Sequence, residues 1–401
     1  MSWPSIEFSE AIRKTKVGRE NQILSADIQP SGRFPVVDQG QAFIAGYSDV
    51  EERVIRDDLP MVIFGDHTRC VKYVDFPFIL GADGTKILKP KEDLFDPKFF
   101  YYAVLSLDIP NRGYNRHFTV LKEKTVPRPD KNEQRKIAGV LGVVQRAFEQ
   151  QERLLQLTAE LKKTFLHQLF TQGLRGEPLK QTEIGLVPES WEVVRLGEVC
   201  ALSTGTTPAT ARADYYSGDV PFVKTTDIVN NRITKAQTYI SDQAVIDYRL
   251  KLYPPGTVLM AMYGQGKTRG QVALLEITAT TTQNAAAIQP SSEIDPEFLW
   301  QYLTSRYEHL RGAGALGHIS HLNLGYLRDF PIVKPPLLAQ REIARILVTI
   351  DKKAMMTQSR KLRLQDLFRT LLHQLMTAQI RVHDLDLPEE EATVIQAAGP
   401  M

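Results

Sequence analysis

The 401-residue sequence contains only two cysteines, Cys70 and Cys200, and has no long apolar run. Two thiolates are too few for a cysteine zinc cluster, and free thiols are typical of a reducing compartment. Spanning a bilayer would require about 18 apolar residues in succession, so no membrane segment is predicted. The N-terminus lacks a charged segment followed by an apolar one, so no secretion signal is predicted either. These absences predict a cytoplasmic protein without a membrane partner.

Excess charge is also missing, because 49 basic side chains are balanced by 47 acidic ones, for a formal net charge of +2. That value is too small to indicate nucleic-acid binding by itself. Acidic side chains are concentrated in residues 381–401, which end in small residues and are predicted to be a flexible tail. Any surface that binds nucleic acid must therefore be local.

A long helical pattern occurs twice. Residues 134–138 (QRKIA) recur as 340–344 (QREIA), and 164–169 (TFLHQL) recur as 370–375 (TLLHQL), both at an offset of 206. The constant offset predicts two helices of equal length, each following its own globular segment. A duplicated reader on a fixed spacer suits a target that is read in two halves.

The globular segments repeat more loosely. Residues 31–37 match 217–223 at an offset of 186, and residues 96–99 match 295–298 at 199. The pairs Thr68-Arg69 and Thr268-Arg269 match at 200. An offset that grows along the chain indicates one fold whose loops changed length. The two halves would then share a scaffold and differ in specificity.

The sequence predicts an α+β protein with two globular α/β domains, two long antiparallel coiled-coil helices and internal pseudo-two-fold symmetry. Its predicted segments are globular domain 1 (1–129), spacer helix 1 (130–172), a connector (173–190), globular domain 2 (191–336), spacer helix 2 (337–380) and an acidic tail (381–401).

Apolar residues at heptad-like steps define the spacer helices, and a helix of about 38 residues would be roughly 57 Å long at ~1.5 Å per residue. Two apolar stripes in one chain most simply pack against each other as an antiparallel coiled coil. A generic coiled-coil hairpin is the alternative for the helices alone. The predicted packing and partner positions are Ile137, Leu141, Val144, Phe148, Ile343, Leu347, Ile350 and Leu371.

Residues 261–268 (AMYGQGKT) nearly fit a phosphate-binding loop. Such a loop needs a helix N-terminus at the phosphate, whereas residues 269–275 resemble a strand. The first half also lacks the Gly-Lys pair. We therefore prefer a non-catalytic role, and an NTPase that uses Lys267 in the Gly264 to Thr268 loop remains an alternative.

A glycine-rich turn with basic side chains can also approach a phosphate backbone or place arginine against a guanine edge. A solvated basic hairpin is the alternative for each residue. The predicted DNA contacts are Arg69, Lys72, Arg116, His117, Lys224, Tyr263, Gln265, Lys267, Thr268, Arg269, His318 and His321.

Metal binding and catalysis have little support in the sequence. His318 and His321 lack a clear third ligand, so no metal site is predicted. His167 and His373 are repeat partners near helix ends, where a structural role is expected. No motif for amino-methyl transfer and no nucleophile with a matching base stands out, which predicts a chain that is not catalytic by itself.

The whole arrangement resembles the specificity (S) subunit of type I restriction-modification systems. The resemblance is carried by residues 188–192 (PESWE), 195–198 (RLGE), 264–270, 335–336 and 340–343 in the second half, and by 35–41 and 44–47 in the first.

This resemblance implies that each globular domain is a target-recognition domain for one half of a bipartite, asymmetric site in double-stranded DNA. It implies that the long helices space the domains and dock two methyltransferase (M) subunits. Two restriction (R) subunits are a further expectation from the resemblance. S-adenosylmethionine would belong to the M subunits, ATP and Mg to the R subunits, and no cofactor to this chain.

One departure from the family is that the chain begins almost directly in the first recognition domain, so the C-terminal helix alone must complete the pseudo-symmetry. Independently of the family, a rod of roughly 57 Å matches about one and a half turns of duplex. A coiled-coil scaffold without a DNA role remains the competing interpretation.

Overall fold

The protein divides into two compact units in the structure, a computed structural model that describes residues 2–82, 84–111, 113, 115–264, 267–312 and 322–385. Unit 1 contains residues 2–153 and 358–385, and unit 2 contains residues 154–357. Each long helix therefore contributes one half to each unit. The predicted domain boundaries, which assign whole helices to separate segments, remain predictions.

Unit 1 opens the chain. Its elements are β1 (Ser5–Glu7), α1 (Phe8–Ala11), β2 (Ile12–Arg13), β3 (Gln22–Ile23), β4 (Phe34–Val37), β5 (Gly46–Ser48), β6 (Met61–Gly65), β7 (Val71–Val74), β8 (Ile79–Gly81), β9 (Thr85–Pro90), α2 (Pro97–Leu105), α3 (Phe118–Lys122), β10 (Thr125–Pro127) and the first half of α4 (Lys131–Thr171).

Unit 2 takes the second half of α4. Its other elements are β11 (Leu179–Thr182), β12 (Gly185–Pro188), β13 (Glu192–Arg195), α5 (Leu196–Val199), β14 (Cys200–Thr204), β15 (Val220–Val223), β16 (Asn231–Ile233), β17 (Thr238–Ile240), α6 (Asp242–Asp247), β18 (Val258–Ala261), β19 (Val272–Leu275), β20 (Thr280–Thr281), β21 (Ala285–Pro290), α7 (Pro296–Ser305), α8 (Tyr307–Gly312), α9 (Leu324–Arg328), β22 (Pro331–Lys334) and the first half of α10 (Leu337–Met376), whose second half returns to unit 1.

The two units share their sheet plan. Unit 1 has a sheet in the order β2-β9-β6-β7, and unit 2 has the equivalent order β14-β21-β18-β19, extended by β16. A second sheet contains the parallel pair β4 and β8 in unit 1 and the parallel pair β15 and β20 in unit 2. The pair β1 and β10 likewise corresponds to β13 and β22. The predicted duplication of an α+β scaffold is confirmed.

The connector predicted for residues 173–190 contains a hairpin in the structure. Strands β11 and β12 pair antiparallel, with Thr182 opposite Gly185. The glycines and prolines that predicted a loop are therefore accommodated around a short two-stranded turn. Gly185 has a φ of +107°, a left-handed conformation that favours glycine at the turn.

The short helices α2 and α7 begin as their sequences predict. The carboxylate of Asp96 accepts hydrogen bonds from the backbone N–H groups of Lys98 (3.0 Å) and Phe99 (2.9 Å). Asp295 accepts one from the N–H of Phe298 at 3.0 Å. Each aspartate satisfies donors that have no partner within the helix, and the proline that follows tolerates the first helical turn.

A buried glutamine connects each long helix to its globular domain. The Gln134 side chain accepts from the Asp96 N–H at 2.7 Å and donates to the carbonyls of Leu94 (3.0 Å) and Pro129 (2.8 Å). These three bonds satisfy backbone groups at the start of α2 and before α4.

The same three bonds occur in unit 2. Gln340 accepts from the Asp295 N–H at 2.8 Å and donates to the carbonyls of Glu293 (3.0 Å) and Pro335 (2.9 Å). Both glutamines are fully buried. The repeated Gln-Arg sequence thus marks a duplicated structural connection.

Within each unit the two helix halves pack antiparallel. In unit 1 the rings of Phe148 and Phe368 lie 5.6 Å apart, and Glu152 pairs with Lys361 at 2.8 Å. In unit 2 the Lys162 ammonium lies 2.6 Å from the Asp351 carboxylate. Partners advance along α4 as they retreat along α10, which confirms the predicted antiparallel packing.

The predicted spacer residues divide between two environments. Ile137 and Leu141 are buried in the core of unit 1, and Ile343 and Leu347 are buried in the core of unit 2. The others are partly exposed: Val144, Phe148, Ile350 and Leu371. The helix starts are therefore part of the globular cores as well as of the helix pairs.

The predicted apolar stripe does not stay buried along its whole length. Leu161 is 48% exposed and Leu367 is 45% exposed. These exposed leucines indicate that packing against a globular core, as well as against the other helix, decides which face of each long helix is buried.

The end of α10 completes the core of unit 1. Trp3 Nε1 donates to the Leu375 carbonyl at 2.6 Å, and the Arg381 guanidinium lies 3.6 Å from the Trp3 ring centre. In unit 2 the equivalent residues Trp191 and Leu169 are buried in one cluster. Unit 1 is therefore closed by a segment that returns from the far end of the chain.

None of the helices in the part of the chain that the structure describes is long and apolar enough to cross a membrane.

Candidate nucleic-acid interface

Four loops of unit 2 meet at one edge because the strands that carry them end there. Thr204, the last residue of β14, lies opposite Ala286, and Ala261, the last residue of β18, lies opposite Ala285. In the second sheet, Val223 is beside Thr281 in the parallel pair. This unit 2 loop edge consists of residues 205–208, 224–230, 262–271 and 282–284, of which residues 265 and 266 lie outside the described part.

Hydrogen bonds fix these loops to each other. The Met262 N–H donates to the Asn284 carbonyl at 3.0 Å, and the Leu322 N–H donates to the Met262 carbonyl at 3.1 Å. Thr207 Oγ1 donates to Gln283 Oε1 at 2.5 Å. The edge is therefore a preorganised platform, which lowers the entropic cost of binding a partner.

Gly205 is required by the closeness of this packing. A Cβ atom at this position would lie 1.6 Å from the Thr281 carbonyl oxygen. No side chain can be accommodated at that separation, so the strand exit depends on glycine.

Cations and an aromatic ring are exposed at the unit 2 loop edge. Lys224, Lys267 and Tyr263 are all exposed, and Thr268 is half-buried. The Lys267 carbonyl accepts a hydrogen bond from the Tyr307 hydroxyl at 2.6 Å, which holds the backbone of this loop. Lysine can neutralise phosphates, while threonine and tyrosine hydroxyls can bond to phosphate or base edges.

Arg269 holds the loop in place. Its guanidinium donates to the Arg311 carbonyl at 2.8 Å, and the side chain is half-buried. The bond ties residues 262–271 to the end of α8. Arg269 therefore has a structural contact in addition to its predicted DNA contact.

Sequence reasoning missed two residues of this edge, Thr207 and Gln283. Gln283 is exposed and Thr207 is half-buried, and their side chains bond to each other across two loops. The available signal was the polar run of residues 280–284 (TTTQN) before the apolar strand β21. A glutamine amide can form paired hydrogen bonds with an adenine edge.

Unit 1 builds the equivalent loop edge from residues 38–45, 66–70 and 82–84, of which residue 83 lies outside the described part. The Asp66 N–H donates to the Gly84 carbonyl at 2.7 Å, and the His117 N–H donates to the Asp66 carbonyl at 2.8 Å. These bonds correspond to those made by Met262 and Leu322. The scaffold of the edge is therefore duplicated, although its exposed side chains differ.

Lys72 lies inside unit 1, which corrects its prediction as a DNA contact. It is 5% exposed, and its ammonium donates to the carbonyls of Asp38 (2.8 Å) and Ala42 (2.6 Å). Burial lowers the pKa of this ammonium, and Asp38 partly offsets that effect. The residue stabilises the loop that follows β4.

His117 is also buried, so its predicted DNA contact is corrected too. Its Nδ1 lies 2.9 Å from the Asp66 carbonyl oxygen, and its ring is fully covered. Arg116, the preceding residue, is exposed. The sequence could not separate these neighbours because loop burial depends on contacts with distant residues.

Arg69 has a left-handed backbone, with a φ of +62°, and donates to the Ile109 carbonyl at 2.8 Å. The structural equivalent of Arg69 is Gly270, whose φ is +84°, because each precedes the residue that re-enters the hairpin. The sequence match of Arg69 with Arg269 is therefore one residue out of structural register. The loop of unit 2 is longer than its counterpart, so the sequence offset misleads here.

The loop that resembled a phosphate-binding motif connects two antiparallel strands. Met260 in β18 lies opposite Val272 in β19, which makes the segment a hairpin. A strand therefore follows the loop where a phosphate-binding mechanism needs a helix N-terminus. The structure supports rejecting nucleotide binding at Lys267.

Three predicted contacts, Gln265, His318 and His321, lie outside the described residues. Among the residues that are described, no three His, Cys, Asp or Glu side chains are grouped so that they could hold a metal ion.

The cysteines are both free but differ in environment. Cys200 is buried at the start of β14, and burial raises the pKa of its thiol to about 12. Cys70 is half-buried beside the unit 1 loop edge.

Comparison with known proteins agrees with this duplicated geometry. Residues 188–365 match the family model described as the type I restriction modification DNA specificity domain. The chain is 23% identical over 340 residues to the EcoR124I/EcoR124II specificity subunit of Escherichia coli, covering 82% of each chain. It is 27% identical over 189 residues to the MjaIX specificity subunit of Methanocaldococcus jannaschii, covering 46% of this chain and 43% of that one.

Solved structures show the same fold. The type I restriction-modification S subunit from M. genitalium superposes with a TM-score of 0.62 at 17% identity, covering 93% of this chain and 96% of the other. A chain from a study of complex assembly and conformational transition in the type I R-M system gives 0.53 at 18% identity, covering 94% and 98%. The chain is therefore similar to type I restriction-modification specificity subunits, through the family model in residues 188–365 and through the named relatives, and it shares the fold of the solved S subunit.

Proposed function

We propose that this chain reads a bipartite, asymmetric site in double-stranded DNA, with one loop edge for each half-site. The observation that carries the proposal is the duplicated loop edge, which has equivalent backbone bonds in both units but different exposed side chains. A shared scaffold with different exposed side chains suits two domains that recognise different DNA sequences. The exposed Lys224 and Lys267 would position the phosphate backbone, and Gln283 and Tyr263 would face base edges.

The long helices would set the spacing of the half-sites and dock two M subunits. Support comes from apolar side chains that the helices leave exposed, of which Met355 is 69% exposed. Exposed apolar side chains on a helix are suited to binding another protein. The further exposed members are Leu157, Leu161, Met356, Leu362 and Leu367.

The chemistry would belong to the partners. Adenine methylation by the M subunits would use S-adenosylmethionine, and translocation with cleavage by two R subunits would use ATP and Mg. This chain would act in the cytoplasm and contribute recognition without catalysis.

The test is the methylated motif written by the chain together with its M subunits. Genomes would be sequenced for methyladenine after expression of the complex with wild-type chain, with Lys267→Ala or with Lys235→Ala. Lys235 is exposed after the opposite end of β16, so it is a matched control for charge loss.

We expect Lys267→Ala to weaken DNA binding or to relax one half of the motif, and Lys235→Ala to leave both halves unchanged. Loss of a base contact would cost about 1–3 kcal/mol, whereas loss of a phosphate contact would weaken all sequences alike and reduce the salt dependence. An unchanged motif and unchanged DNA affinity in Lys267→Ala would remove this loop from the interface.

The spacer role has a separate test. Removing one heptad from both helices shortens each by about 10 Å, which corresponds to about 3 base pairs of duplex. We expect the unread gap in the methylated motif to change while both half-sites keep their sequence. A methylated motif with its original gap would show that the helices do not set the spacing.

A further inference from the structure

Strand β7 of unit 1 is an edge strand, whereas its equivalent in unit 2 is covered. Among the described strands β7 pairs only with β6, while β19 pairs with β18 on one side and with β16 on the other. An uncovered strand edge offers backbone donors and acceptors to another chain. The two units therefore differ by one strand at the same position of the same sheet.

The missing strand results from a shorter connection. Unit 2 joins β15 to β17 through residues 224–237, which include β16. Unit 1 joins the equivalent strands β4 and β5 through residues 38–45 alone. The shorter connection contains no strand that could cover β7.

Unit 2 shows how a strand sits at this position. Strand β16 runs parallel to β19, with Arg232 opposite Leu274. The Arg232 guanidinium pairs with the Glu297 carboxylate and lies 4.8 Å from the Trp300 ring centre. The strand is thus held by pairing, by one ion pair to α7 and by stacking on an aromatic ring.

A groove of about 780 Å³ occupies the corresponding place in unit 1. It runs beside β7 between the loop after β4 and helix α2. Tyr101 replaces Trp300, and Lys98 replaces Glu297, so the aromatic ring is kept and the charge is reversed. Phe43, at the rim, is 47% exposed.

The charges that line the groove favour binding of a carboxylate beside Lys98. The Lys98 ammonium lies 5.4 Å from the Tyr73 ring centre and forms no ion pair with any residue of the described ranges. Glu149 accepts a hydrogen bond from Gln145 at 2.8 Å. Asp75 and Arg69 also line the groove, near the two ends of β7.

We propose that the open edge of β7 binds an extended segment of a partner protein as a parallel strand, with a carboxylate side chain of that segment against Lys98. The segment takes the place that β16 fills in unit 2, so its acidic residue stands where Arg232 stands there. Backbone pairing supplies affinity, and the charge at Lys98 supplies selectivity.

The probe is a peptide with the sequence of residues 228–235 of this chain carrying Arg232→Glu, and the control peptide has the unchanged sequence. Binding to the full chain is measured by the rate at which iodoacetamide alkylates Cys70, which lines the groove. Cys200 is an internal control for unfolding, because burial raises the pKa of its thiol to about 12 and keeps it unreactive.

We expect the acidic peptide to slow alkylation of Cys70 at about tenfold lower concentration than the control peptide, because only the acidic peptide pairs with Lys98. The Lys98→Glu variant should reverse this preference while Cys200 stays unreactive. The reversal separates charge recognition at the groove from a general loss of structure.

The proposal is overturned if millimolar acidic peptide leaves Cys70 alkylation unchanged, or if the two peptides act equally in the wild type and in Lys98→Glu. A short single-stranded oligonucleotide is the third probe. Stronger protection of Cys70 by the oligonucleotide than by the acidic peptide would assign the groove to nucleic acid instead.

Discussion

The two units are alike where a buried glutamine joins each long helix to its globular domain, and different where the two long helices pack against each other. Gln134 and Gln340 make the same three backbone bonds. The place in each unit where α4 and α10 contact each other is called the helix crossing. There, by contrast, unit 1 has Phe368 and unit 2 has its repeat partner Lys162. A glutamine that bonds to the backbone of a duplicated fold can be replaced by few other residues. A helix crossing can change if the side chains that contact each other change together.

The crossing illustrates such a joint change. In unit 1 the Tyr102 hydroxyl donates to Gln145 at 2.8 Å, and its ring lies 5.9 Å from the Phe368 ring. In unit 2 the equivalents of Tyr102 and Gln145 are Gln301 and Asp351, which bond at 2.8 Å. Lys162 then completes an ion pair with Asp351 where unit 1 has an aromatic contact.

The largest expected effect is a difference in stability between the aromatic contact of unit 1 and the ion pair of unit 2. Phe368→Ala should destabilise unit 1 by about 4 kcal/mol, since it empties a buried aromatic site. Lys162→Ala should destabilise unit 2 by about 1 kcal/mol, since a half-buried ion pair contributes little. Urea unfolding of both variants measures the difference, and equal losses would show that the crossings are energetically alike.

The second-largest expected effect tests whether the two buried glutamines are equivalent in the two units. Gln134→Ala and Gln340→Ala should each cost about 3 kcal/mol, because each leaves three buried backbone groups without a partner. Gln358→Ala, at an exposed position of α10, is the matched control and should be nearly neutral. Calorimetry of the three variants would contradict the duplicated connection if only one buried glutamine proved costly.

A smaller effect concerns the closure of unit 1. Trp3→Phe should cost about 1 kcal/mol, because phenylalanine cannot donate the hydrogen bond to the Leu375 carbonyl. A double-mutant cycle of Trp3→Leu with Arg381→Ala removes the ring as well and isolates the contact between ring and guanidinium, for which we expect about 0.5 kcal/mol. A coupling energy of zero in thermal unfolding would mean that Arg381 does not stabilise the closure.

The smallest effect is a salt dependence. High salt should reduce the contribution of the Lys162 and Asp351 pair by a few tenths of a kcal/mol through screening. The Phe368 contact should not respond. Comparing the stability of the wild type and of Asp351→Asn at low and high salt measures the salt response of the ion pair. Phe368→Leu is the control for the aromatic contact. A greater salt response of the aromatic crossing would contradict the assignment of the charge pair.

The sequence predicted the elements that depend on local or repeated signals. The Asp-Pro starts of α2 and α7, both long helices and the duplicated scaffold all follow from caps, apolar periodicity and a constant offset. The family resemblance predicted the overall arrangement of domains and helices. These features could be predicted because each is specified by residues that are near each other in the chain or are exact repeats.

The candidate interface was less predictable. Lys72 and His117 looked like loop residues but are buried by contacts with Asp38 and Asp66, which lie far away in the chain. The strand β16 and the Thr207 to Gln283 bond depend on loop length and on pairing between distant strands. Such contacts leave no periodic pattern in one sequence.

The division of each long helix between the units also imposes an order on synthesis. Unit 2 is one uninterrupted stretch of chain, residues 154–357, so its core can form as soon as that stretch has been made. Unit 1 instead needs Leu372, Leu375 and Met376, which are translated after the whole of unit 2. Its apolar core must therefore wait, partly uncovered, on the ribosome. Premature termination in the second half of α10 would leave unit 2 folded beside an aggregation-prone unit 1.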